Sequence, residues 1–157
     1  RDFRGLAACI AGALAEQGVQ LRRANLFSAH NHGLALDFFH LQPVNRPIPE
    51  SLPPAIEAAV REHRHIAPED AAKHPPLQGA FQLDDTPSGN YRLRFETADD
   101  AHGLLHSVTY KVYQHLRASI HSLDASTSRN TARIAVFLKL PDDMSLETAQ
   151  RIVAERF

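Results

Sequence analysis

The chain has 157 residues, 43% hydrophobic and 22% charged, a balance that supports a packed core and excludes a disordered tail. Lys and Arg number 17 against 18 Asp and Glu, so no overall positive field gathers a phosphate backbone, and nucleic acid is not an expected partner. No apolar run approaches the roughly 20 residues that cross a bilayer, and no signal-peptide pattern opens the chain, so no membrane partner is expected. Cys9 is the only cysteine, which excludes an intrachain disulfide and points to a reducing, cytoplasmic setting.

From Gly5 to Gln17, Leu6, Ile10 and Leu14 recur four apart with Gly18 following, the pattern of a short amphipathic helix with a glycine stop. Val19–Ala29 and Leu34–Leu41 are apolar-rich runs separated by His30-Asn31-His32-Gly33, which predicts a hairpin. Prolines at 43, 47, 49, 53 and 54 make the next stretch a loop, the last two suiting a helix start. Ile56, Ala59, Val60 and His63 predict that helix through about Arg64. Pro68–Pro76 is broken and polar, Leu77–Leu83 reads as a weak strand, and Asp84–Asn90 is rich in turn formers.

Tyr91, Leu93 and Phe95 alternate with Arg92, Arg94 and Glu96, the period of a strand with one buried face. Ala101–Leu116 places Leu105, Val108, Val112 and Leu116 on one side of a helix. Ser119–Thr127 and Thr131–Leu140 predict two strands around a turn at Arg129-Asn130, and Leu146, Ala149, Ile152 and Val153 predict a last helix.

The two halves repeat. Asp2-Phe3-Arg4-Gly5-Leu6 and Asp100-Ala101-His102-Gly103-Leu104 each open an amphipathic helix, and Gly5 and Gly103 lie 98 apart. Leu21, Ala24 and Leu26 then match Ile120, Leu123 and Ala125 at an offset of 99, as Ala35, Phe39 and Leu41 match Ile134, Leu138 and Leu140. Two copies of one unit explain this most economically. The expected division is 1–83, a linker at 84–90, and 91–157, with the outer strands of the two copies expected upstream of Asp2 and downstream of Phe157.

On these residues the chain resembles the ACT family, whose units run strand-helix-strand-strand-helix-strand and open their first helix with Asp-x-Pro-Gly-Leu; Arg4 and His102 stand at the proline position. The first copy, through Ile10-Ala11-Gly12-Ala13-Leu14 and Ala35-Leu36-Asp37-Phe38-Phe39, is similar to the tandem ACT region that ends PII-protein uridylyltransferases. The resemblance implies an α+β class with two ferredoxin-like units, antiparallel sheets with helices on one face. It also implies a regulatory module that binds an amino acid near the glycine loops, self-associates and is not itself an enzyme, although its parent can be one. A structural oligomerisation module without a ligand is the alternative.

The ligand-binding residues this implies are Asp2, Arg4, Gly5 and Leu6 in the first copy and Asp100, His102, Gly103 and Leu104 in the second. The physics agrees in outline, because a glycine between strand and helix lets the chain turn sharply and presents free helix N–H groups to a carboxylate. Arg4 and His102 can meet that carboxylate; Asp2 and Asp100 can meet an ammonium or cap the helix, the commoner role.

Other groupings carry less. His30 and His32, and His63 and His65, lack further ligands at a zinc-type spacing, and His102, His106, His115 and His121 are expected at the surface. No metal or cofactor is expected. Arg22, Arg23, Arg92 and Arg94 lack the paired aromatic residues of an RNA-binding sheet. No phosphate loop, paired acids or Ser-His-Asp arrangement is recognisable, Cys9 reads as a core residue, and Asp37 falls on an otherwise apolar strand face.

Overall fold

A computed structural model describes residues 3–29, 33–41, 48–99 and 102–157. Along the chain run α1 (Leu6–Glu16), β1 (Leu21–Ala29), β2 (Leu34–Leu41), α2 (Leu52–Arg61), a 3-10 segment (Pro68–Lys73), β3 (Ala80–Asp85) and β4 (Tyr91–Thr97). Then follow α3 (Leu104–Lys111), a π turn (Val112–Leu116), β5 (Ser119–Ser128), β6 (Thr131–Lys139) and α4 (Leu146–Arg156). Among the described residues, six strands form one antiparallel sheet in the order β2-β1-β5-β6-β4-β3, so the class is α+β.

Alternation along each strand decides the two faces. Ala24, Leu26, Leu93, Phe95, Leu123, Ile134, Val136 and Leu138 point to one side, where they pack with Ala7 and Ala11 of α1, Leu105 and Val108 of α3, and Ala149 and Val153 of α4. Leu52 of α2 packs on Ile10 and Leu14 of α1. Helices therefore cover this face, and the principal core runs from β1 to β3. The other face carries ion pairs, Arg94 with Asp84 at 2.9 Å and Arg133 with Glu96 at 3.1 Å. At its β1–β2 end it carries exposed Phe27, Leu36 and Phe38. The arginines that would make a basic sheet face are thus partly neutralised on it.

The register at the centre of the sheet follows the sequence repeat. β1 and β5 pair with Ala24 opposite Ala125, Asn25 opposite Asp124 and Leu26 opposite Leu123, and Asn25 and Asp124 are 99 apart. Residues matched by the repeat thus exchange places across a local two-fold at that pair. Irregularities in register fall between Leu21 and Arg23 in β1 and between Ile120 and Ser122 in β5, again 99 apart. Each is a place where a bulge re-aims the intervening side chain, Arg22 and His121.

Several expectations change. The helix expected over 101–116 is α-helical only to Lys111, after which a π turn ends at Arg117 with φ 50°. Helix α2 stops at Arg61, and His63 and His65 adopt positive φ. The broken stretch after Pro68 holds a 3-10 segment. Residues 84–90, expected as a linker, contain the end of β3 and the tight turn into β4, where Gly89 N donates to Thr86 O at 3.0 Å. The strand expected within 77–83 lies at Ala80–Asp85 and pairs with β4.

Candidate functional site

Gly5 and Gly103 are the N-caps of α1 and α3, both left-handed, with φ 98°, ψ −4° and φ 81°, ψ 8°. Only glycine adopts this conformation without penalty, so two distant parts of the chain use the same device to turn into a helix. Helices α1 and α3 lie side by side, each glycine beside the far end of the other helix. A Cβ on Gly5 would sit 3.1 Å from Tyr113, whereas one on Gly103 would sit 3.7 Å from Ala15. Tyr113 and Ala15 are themselves 98 apart.

Each crossing holds a small, half-open cavity. The first, about 30 Å³, is lined by Gly5, Leu6, Ala7, Leu26 and Ala35 on one wall and Thr109, Tyr113 and Ile120 on the other. The second, about 50 Å³, is lined by Gly103, Leu104, Leu105, Ala125 and Ile134 facing Ala11, Ala15 and Leu21. Position by position these sets correspond at the offset of the repeat. A water needs roughly 10–15 Å³ of such space, so the second seam has room for a few waters.

The seams differ in charge. Among the described residues, the second is lined by Arg22, His102 and His106, together with Arg23 and Arg133, whose ion pairs lie on the other face of the sheet, and by no carboxylate. Arg23 approaches Asp124 at 3.6 Å and Arg133 bonds Glu96; Arg22, in the bulge, has no ion pair among the described residues. His102 Nε2 donates to Ala15 O at 2.7 Å, tying the α3 turn to the end of α1. Among the described residues the first seam has one charged lining residue, Asp37, opposite Leu26 in the β1–β2 register. The repeat matches Asp37 with Val136, which is fully buried.

Of the expected ligand residues, Gly103, Leu104 and His102 come together at the second seam, and Gly5 and Leu6 at the first. Arg4 is exposed in the turn before α1 and is not among the first seam's lining residues. Asp2 and Asp100 lie outside the described residues. Sequence reasoning missed Ala15, Tyr113 and Arg22. The repeat carried the signal for the first two, because they occupy one matched position with very different side-chain volumes.

Of the histidines expected at the surface, His102 is exposed, whereas His106, His115 and His121 are half-buried. His74 is 6% exposed and stacks on Tyr110 at 4.1 Å, with His106 edge-on at 4.4 Å and His65 beyond it. His74 Nδ1 lies 3.0 Å from Ser107 Oγ. Burial pushes His74 down to about 4, helped by the positive charge that His106 and Lys111 would bring; burial also lowers His106. These side chains anchor the segment after α2 across both helices: Tyr110 OH donates to Ala67 O at 3.0 Å, His106 Nε2 to His65 O at 3.1 Å, and Gln114 Nε2 to Ile66 O. His65 fits there because Gly12 has no side chain; a Cβ on it would come within 2.4 Å of His65 Cβ. Among the described residues no three His, Cys, Asp or Glu side chains are grouped to hold a metal. Cys9 is fully buried, and burial pushes its thiol up to about 11, which leaves it a protonated, inert packing group near neutral pH.

No helix among the described residues is long and apolar enough to cross a membrane. Comparison with known proteins finds no matching family, curated protein or solved structure.

Proposed function

We propose that the chain is a regulatory module of a cytoplasmic protein, built from two ACT-type units and binding a small effector, with an amino acid as the leading class. The observation that carries this reading is the pair of matched cavities, each beneath a left-handed glycine at a helix start and walled by the end of the other helix. A solute in either one touches residues from both halves of the chain. It therefore favours one packing of the halves over another, with a leverage set by its differential affinity, commonly about 1–3 kcal/mol. An attached domain feels that difference. Nitrogen or amino-acid metabolism is the setting implied by the resemblance to uridylyltransferase termini, and catalysis would lie in the parent protein, outside these residues.

The register of β1 on β5 supports the two-unit reading, since matched strands meet about a local two-fold. β3 adds a topological detail. By its order in the chain it closes the first unit, yet it pairs with β4, the opening strand of the second; on this reading the units exchange a strand and are not separable.

Unfolding of the chain in the presence of each of the twenty amino acids tests the proposal. A specific effector at a hundred times its Kd stabilises by about 2.7 kcal/mol, and silence across the panel refutes amino-acid binding. A scaffold that self-associates without a ligand is the second reading. It draws on Phe27, Leu34, Leu36 and Phe38, which are 50–62% exposed on β1 and the edge strand β2; a concentration-dependent dimer with no ligand response would favour it.

A further inference from the structure

We propose that residues 62–77, between α2 and β3, form an acid-sensitive strap: closed, it ties α1 to α3, and on acidification it lifts off as a unit, at lower cost than unfolding of the sheet. The strap is a device of the fold itself and operates whether or not an effector binds at either seam.

The strap has little core of its own. Ile66 and His74 are its only buried side chains, and no residue of its 3-10 segment is buried. It is held instead by what the two helices supply. From α3 and the π turn, Tyr110 OH donates to Ala67 O, His106 Nε2 to His65 O and Gln114 Nε2 to Ile66 O; from α1, Gly12 leaves the notch in which His65 sits. At the α2 end His63 and His65 both stand at positive φ, a conformation that non-glycine residues keep only where their surroundings enforce it. At the other end Leu77 N donates to Phe157 O. A segment with few apolar contacts, held mostly by polar ones, opens below the cost of global unfolding.

His74 makes that opening respond to acid. It lies buried between Tyr110 and His106 with Nδ1 3.0 Å from Ser107 Oγ, and its Nε2 has no hydrogen-bond partner among the described residues. A proton there creates a buried cation facing His106 and Lys111 of α3 and Lys73 of the strap. The carboxylates that oppose it are few. Glu69 and Asp70 lie on the strap, Asp70 already held by Lys73 at 2.6 Å, and Glu16 of α1 stands 3.6 Å from His65 Nε2. Lifting the strap returns the imidazole to water, where it takes the proton freely, so proton binding favours the open form. Opening also withdraws Ile66 from the cluster it forms with Ala8 and Cys9 and from beside Gly5, and the two helices that join the halves lose their common tie.

Hydrogen exchange of the 157-residue chain at pH 7.5 and pH 5, expressed as protection factors so that the direct effect of pH divides out, tests the inference. The amides of Asp70 and His74, bonded to Ala67 O and Ala71 O, report on the strap. At both pH values they should exchange at least about tenfold faster than those of β5 and β6, and low urea should change them little, because a local opening exposes little surface. With His74 at about 4 when closed and at the ordinary 6.5 when open, their protection should fall roughly 30-fold between pH 7.5 and pH 5. His74→Gln should remove most of this fall, whereas His115→Gln, a histidine packed on Phe157 away from the strap, should leave it. If His74→Gln does not fold, Cys9 of the unsubstituted chain serves: its reaction with dithiodipyridine, relative to the urea-unfolded chain at the same pH, should rise by a similar factor and be insensitive to low urea. Strap amides as protected as those of β5 and β6, a fall with acid that survives His74→Gln, no fall at all, or a Cys9 rate that follows complete unfolding in urea overturns the inference.

Discussion

Asn25 and Asp124 face each other across the junction of β1 and β5, with Asn25 Nδ2 donating to Asp124 Oδ2 at 2.5 Å. They are also the one pair in that ladder separated by 99 residues, the offset of the repeat. The two-fold relating the halves passes through this hydrogen bond. Because Asp124 is exposed, the expected energy is small. A double-mutant cycle with Asn25→Ala and Asp124→Ala should give a coupling of about 1 kcal/mol, with Arg23 contributing less at 3.6 Å. A coupling of several kcal/mol by urea denaturation would mean that the junction depends on this pair more than solvent-exposed geometry allows.

Gly12→Ala opposes two effects at one site. Helix propensity favours alanine by about 1 kcal/mol, but the added methyl would stand 2.4 Å from His65 Cβ, and the segment after α2 would have to lift from α1 and α3. Overpacking of this kind costs about 1–3 kcal/mol. Thermal unfolding should therefore show net destabilisation; a gain in Tm would show that His65 does not pack on Gly12.

At the two helix starts alanine should be tolerated unequally. Gly5→Ala and Gly103→Ala both place a Cβ at positive φ, a penalty of about 1–2 kcal/mol. Gly5→Ala additionally presses on Tyr113 at 3.1 Å, whereas Gly103→Ala meets Ala15 at an ordinary 3.7 Å. The first variant should lose more stability than the second, and Tyr113→Ala should bring the two penalties together.

His74 makes stability depend on pH in a definite direction. Its folded value of about 4 lies below the ordinary 6.5, so between these limits the unfolded chain binds the extra proton. The free energy of unfolding must then fall as pH drops from about 6.5 to about 4, by up to roughly 3 kcal/mol from this residue. His106, Lys111 and Lys73 face it with positive charge, and Asp70 opposes them. His74→Gln removes the titration, so urea midpoints at pH 7 and pH 4 should differ less in the variant than in the parent chain. An unchanged difference would exclude His74 as the source.

Much of the fold was legible because its signals are local. Helix and strand periods, the proline-rich loop, the turn at Arg129-Asn130 and the two glycine starts depend on residues within one or two turns of each other, and the repeat added the correspondence between halves. The π turn after Lys111 escaped notice because Val112 and Leu116 keep the spacing of an ordinary helix. The partner of β3 escaped because strand pairing is chosen by which edge is free in three dimensions.

The sequence by itself determined two glycine-led helices, the strands that follow them and their offset of 98 to 99 residues, since steric freedom at glycine and alternation along a strand are properties of the chain alone. Only the tertiary structure decided that these strands join one sheet about Asn25 and Asp124, that His65 and His106 gather around a buried His74, and that Tyr113 and Ala15 stand opposite the two glycines. Those outcomes depend on contacts between residues tens of positions apart, where space left by one side chain is taken or left open by another.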